Sequence, residues 1–146
     1  MKKNLLAILI MTFFFGACQG QQQKENAGDI IHLTNKEFKK MVFNYEVNKE
    51  WKYLGNKPAI IDFYADWCGP CRIMSPRLEE IAKEYADKII VYKVNTDKER
   101  VLSENLGIQS LPTLVFIPKD GKPQASMGAI PKELLVKAIN EVLLVK

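Results

Sequence analysis

Apolar residues follow two rhythms along this chain. Ala59-Ile60-Ile61-Asp62-Phe63-Tyr64 is almost continuously apolar, the pattern of a strand inside a sheet covered on both faces. Ile30-Ile31-His32-Leu33, Ile89–Asn95, Thr113–Pro118 and Pro123–Met127 read as further strands. The last two are joined through Lys119-Asp120-Gly121-Lys122, whose Asp-Gly marks a hairpin turn. The helical rhythm begins after Thr34, where Thr34 and Glu37 form a capping-box signature before Phe38, Met41 and Val42. It returns from Cys68 to Tyr85, with Pro76 inside, over Lys98–Leu106 before Gly107, and from Pro131 to Leu144. In that last helix Leu134, Leu135, Ala138, Ile139 and Val142 are expected on one buried face. Residues 43–57 follow neither rhythm and are expected to elaborate the first helix and its exit. The order β-α-β-α-β-α-β-β-α predicts an α/β domain over 29–146, a central mixed sheet with helices on both faces.

The N-terminus has a different character. Met1-Lys2-Lys3, an apolar run from Leu5 to Phe15 and the small residues Gly16-Ala17 describe a secretory leader over 1–17. The run is too short for a spanning helix, which needs roughly 18 or more apolar residues. Small residues directly before Cys18 resemble the lipobox of bacterial lipoproteins, where cleavage leaves a lipidated cysteine at the new N-terminus. Phe15 departs from that pattern, which has Leu there more often, and an ordinary leader cut near Cys18 is the alternative. Residues 18–28, polar after Cys18 except for Ala27, are expected to form a flexible tether. Losing 1–17 removes Lys2 and Lys3 and no acid, so the formal charge falls from +4 to +2. A charge that small, without a basic stripe, gives no support to nucleic-acid binding.

The chemistry concentrates in Trp67-Cys68-Gly69-Pro70-Cys71. A strand-like run feeds Cys68 and a helix-like run follows Cys71, which places Cys68 at a helix N-terminus. Free N–H groups and the helix dipole there favour an anion and lower a thiol pKa. A nucleophilic cysteine with a second one close behind it is a device for thiol–disulfide exchange. A permanent disulfide is the plainer alternative. Zinc would need four ligands, and outside the pair the only other candidate near the fold is His32, which reads as structural. Asp62, an acid in the middle of an apolar strand, is expected to have a raised pKa, because burial disfavours its charge.

The segments IIDFYADWCGPCR and SLPTLVFIPKDGKP, in that order, resemble the thioredoxin family, and the likeness runs from about Asp29 to the C-terminus. The resemblance implies the thioredoxin fold and a disulfide reductase with no bound cofactor or metal, acting as a monomer. It makes Cys68 the attacking thiolate and Cys71 the resolving thiol, with Gly69-Pro70 giving the reducing poise of the family. Asp62 matches the acid that assists the resolving cysteine, and Lys93 the lysine beside that acid. A solvated strand lysine is the other reading of Lys93. Leu111-Pro112-Thr113 matches the family's cis-proline loop, and Trp67, Gly128 and Ala129 match the remaining substrate-groove positions. Combined with the leader, these residues lead us to expect a periplasmic, membrane-anchored reductase, whose partners are exported proteins with disulfides and an inner-membrane electron donor. A reductant dedicated to cytochrome c maturation, a net oxidase or isomerase, and a redox-inactive groove-binding module are the rivals.

Overall fold

The computed structural model describes residues 28–145, so the leader, Cys18 and all of the tether except Gly28 lie outside the described residues. Five strands and four helices follow one another as β1 (Ile31–His32), α1 (Asn35–Met41), β2 (Ala59–Tyr64), α2 (Gly69–Glu84), β3 (Ile90–Asn95), α3 (Arg100–Asn105), β4 (Thr113–Ile117), β5 (Gln124–Met127) and α4 (Lys132–Glu141). The strand order across the sheet is β1-β3-β2-β4-β5. β1 and β2 both run parallel to β3, while β4 is antiparallel to β2 and β5 antiparallel to β4. The sheet is therefore mixed, with β2 at its centre.

Alternation along β2 and β3 sorts their side chains between two cores. Ala59, Ile61, Phe63, Tyr92 and Val94 pack with Phe38 of α1 and Leu102 of α3. Ile60 and Val91 point the other way, into a core built with Met74, Leu78 and Ile81 of α2 and Leu135 and Ile139 of α4. Asp62 and Lys93 share this second face, directly across from one another in the parallel register. The helix starts follow local chemistry. Thr34 caps α1 with its side chain, and Glu37 returns the bond to the Thr34 backbone N–H at 2.8 Å.

The structure corrects three expectations. Leu134 is 47% exposed, and Leu143 fills the buried position instead. The helix over 131–144 is shorter than its apolar pattern, with Pro131 as the cap before α4. Residues 43–57 do not lengthen α1, which ends at Met41. They form turns and extended chain that fold back over the α1 side of the sheet. The Leu54 N–H donates to the Val42 carbonyl, and Trp51 packs at 4.8 Å from the Phe43 ring. Such a segment is held by tertiary contacts, which explains its lack of a period. Among the described residues no helix is long and apolar enough to cross a membrane.

Candidate active site

The central strand β2 ends at Tyr64, and four residues later the chain enters α2. Cys68 is the residue that caps α2, with Pro70 at the helix start, where a missing N–H costs nothing. Cys68 and Cys71 are joined as a disulfide across a Cα–Cα distance of 5.3 Å. The Cys71 backbone N–H points at the Cys68 sulfur at 3.2 Å. That N–H belongs to the first turn of α2, so the same donor and the helix dipole stabilise a Cys68 thiolate once the bond is reduced. Although it stands at a helix start, Cys68 is only 4% exposed and Cys71 only 2%. Ala65, Tyr64 and Leu111 pack around the pair and cover it.

Leu111 brings the next loop to the site. The Leu111–Pro112 bond is cis, and the Pro112 carbonyl accepts from the Gly128 N–H at 2.8 Å. Gly128 has φ +84, a conformation that side chains with a Cβ rarely adopt, and nothing crowds its Cα. The loop containing Pro112 and the strand end containing Gly128 and the exposed Ala129 thus form one rim next to the cysteines. Trp67 stands on the opposite side of the pair in the chain, 69% exposed, its indole N–H donating to Asp97 at 2.9 Å. Gly69 and Pro70 lie between the cysteines, with Pro70 exposed.

Behind the disulfide lies a polar pair on an otherwise apolar face. Asp62 is completely buried, and Lys93 Nζ stands 3.2 Å from its Oδ2. Lys93 is the polar partner that reaches Asp62 Oδ2, at a contact longer than the one it makes to Ser75. Burial raises the carboxyl pKa, with the charge and the hydrogen bond of Lys93 pulling against it. Lys93 is only 7% exposed, which excludes the solvated strand lysine. Its ammonium lies 4.5 Å from the centre of the Tyr64 ring and donates to Ser75 Oγ at 2.7 Å. Ser75 in turn donates to the Cys71 carbonyl at 3.3 Å. The polar pair therefore connects to the cysteine turn through Ser75, a residue the sequence reading missed. Its signal was available: Ser75 lies four positions after Cys71, on the same face of α2. His32 stays apart from the cysteines, with its ring edge-on to Tyr64, and among the described residues no cluster of side chains is suited to a metal.

A redox pair closed over a helix N-terminus, beside a cis-proline loop on this mixed sheet, defines a thiol–disulfide oxidoreductase. The chain belongs to the thioredoxin family, whose profile matches residues 29–141. It is similar to the thioredoxin of Borreliella burgdorferi, 49% identical over 111 residues, which are 76% of this chain and 95% of that protein. The thioredoxin of Haemophilus influenzae is 32% identical over 77% of this chain and 96% of its own length. Among solved structures, chloroplastic thioredoxin z superposes with a TM-score of 0.68 at 26% identity, covering 80% of this chain and 96% of that one.

Proposed function

We propose that this thioredoxin-type oxidoreductase reduces disulfides of exported proteins from the surface of a bacterial membrane, to which a lipid on Cys18 holds it. The observation that carries the chemistry is the Cys71 N–H aimed at the Cys68 sulfur at the start of α2. In the reduced protein, the Cys68 thiolate attacks one sulfur of a client disulfide and expels the other as a thiolate, which takes up a proton. Cys71 Sγ then attacks Cys68 Sγ, closes the disulfide and releases the second client sulfur. The Cys71 proton passes to the Asp62 carboxylate and from there to solvent. The dithiol loses two electrons and the client gains two, with two protons. Lys93 holds the Asp62 charge in place through this cycle. The rim of Trp67, Leu111, Pro112, Gly128 and Ala129 receives the client segment as an added strand.

Direction and place rest on the sequence. Gly69-Pro70 between the cysteines supports a reductant, and the leader with Gly16-Ala17-Cys18 supports export and lipidation. An inner-membrane dithiol donor would recharge the pair, and the protein would act as a monomer. Two acyl chains hold a protein at a membrane surface far more firmly than one. Residues 19–28 reach at most about 36 Å, so the site works close to that surface at raised effective concentration.

Equilibration with a glutathione buffer tests the direction. A reductant keeps its Cys68–Cys71 pair oxidised in excess reduced glutathione; a pair found reduced there contradicts it. Cys71→Ser should accumulate client mixed disulfides on Cys68, and free Cys68 without adducts would overturn the mechanism. Cys18→Ser should lose processing or membrane association on fractionation. A variant that behaves like the parent would make this an ordinary exported thioredoxin.

A further inference from the structure

Ser75 makes two contacts that structural packing alone does not require. Its hydroxyl oxygen accepts from the buried Lys93 ammonium at 2.7 Å, the closest partner that cation has. Its hydroxyl hydrogen goes to the Cys71 carbonyl one helical turn back. Meanwhile Lys93 Nζ stands 3.2 Å from Asp62 Oδ2, a longer contact than the one it makes to Ser75. An ammonium beside a buried carboxylate ordinarily aims a hydrogen bond at it, because both charges gain from that contact in a poorly solvated site. Here the shortest contact of the ammonium goes to Ser75, and Asp62 receives a longer one.

We propose that Ser75 is a positioning residue for the resolving step: it draws the Lys93 ammonium toward α2 and so keeps Asp62 basic enough to receive the Cys71 proton. This rests on Asp62 being that acceptor. The surroundings of Lys93 leave few other groups able to do this. Tyr64 on β2 offers its ring face. His32 on β1 lies across from Lys93 in the strand register, and its pKa is lowered by burial and by the Lys93 charge. Glu79 and Lys83 of α2, with Asp29 before β1, line a cavity of about 310 Å³ that also reaches Lys93. Of the groups facing Lys93, Ser75 alone also bonds to the turn that carries the resolving cysteine.

Removing the hydroxyl frees the ammonium to move closer to Asp62 than its present 3.2 Å. A shorter contact from a cation stabilises the carboxylate further, so the Asp62 titration midpoint falls. The experiment follows the Asp62 side-chain carbon by NMR across pH in the oxidised protein, where neither cysteine titrates. Ser75→Ala should lower the midpoint by about one pH unit, while Ser75→Thr, which keeps a hydroxyl, should hold the parental midpoint. In a Lys93→Met background Ser75→Ala should produce no shift, because the cation that Ser75 positions is gone. In single-turnover kinetics of the reduced protein, the acid limb of the resolving step should move down with the midpoint. A midpoint that stays or rises in Ser75→Ala overturns the proposal, as does a shift that persists without Lys93. Failure of the underlying reading looks different: Asp62→Asn would then resolve mixed disulfides at the parental rate, whatever the titration of Ser75→Ala shows.

Discussion

The two faces of the sheet use the same strands for different ends. Toward α1 and α3, β2 and β3 present Ala59, Ile61, Phe63, Tyr92 and Val94, an apolar layer with Phe38 and Leu102 against it. Toward α2, the alternate positions hold Ile60 and Val91 but also Asp62 and Lys93. One face is organised for cohesion. The other accepts a buried acid, whose charged form is disfavoured there, directly beneath the helix that carries both cysteines. A fold gains little from such a pair, since breaking even is common for buried ions. Among the described residues such a pair lies only on the cysteine side, where the proposed proton transfer gives it a role that packing does not.

Substitutions on each face should separate these roles. The largest expected effect on stability is on the apolar face: Phe63→Ala should cost about 3–5 kcal/mol in urea unfolding, with exchange activity per folded molecule unchanged. A loss of activity in molecules that remain folded would blur the division. On the polar face, Lys93→Met leaves Asp62 without its cation and should cost about 3 kcal/mol at pH 8. The cost should shrink at acid pH, where Asp62 is protonated and needs no partner.

Asp62→Asn should act in the opposite sense on stability. Because burial raises the folded pKa of Asp62 above its unfolded value, the folded state holds the proton to higher pH. The stability this group contributes is therefore complete below the unfolded pKa and is lost as pH rises through the folded pKa. Above both values the full penalty remains, and an uncharged Asn escapes it. Unfolding midpoints of parent and variant should be close at acid pH and separate in favour of Asn at pH 8. Equal separation at both would show that charge is not the cause. The smallest effect lies at the edge of the apolar face, where Thr34→Ala removes the α1 cap and should cost about 1 kcal/mol, read from the urea midpoint.

Much of this arrangement was legible beforehand, and the reasons are specific. β2 was visible at its true limits because Ala59–Tyr64 is apolar on both faces and bounded by turn residues. α2 was visible because Cys68-Gly69-Pro70 is helix-start chemistry. Leu134 misled because a run of neighbouring apolar residues on a short helix fits two faces equally well, and only contact with the sheet chooses Leu135 and Ile139. Residues 43–57 were opaque because their order comes from Phe43, Trp51 and Tyr53 meeting the sheet. A lysine in a strand reads alike whether solvated or buried, so the β2–β3 register was needed to choose between a Lys93 beside Asp62 and a solvated one. Ser75 had a spacing signal, four positions after Cys71, but a serine in a helix acquires meaning only when a buried cation points at it.

One rate tests the role of Asp62 most directly. Single-turnover decay of a Cys68 mixed disulfide, followed by release of the client thiol at pH 7, isolates the step that Asp62 is held to assist. Asp62→Asn should slow that decay by about a hundredfold while leaving the initial attack by Cys68 near the parental rate. Decay at the parental rate would contradict the claim that the buried pair behind the disulfide serves catalysis.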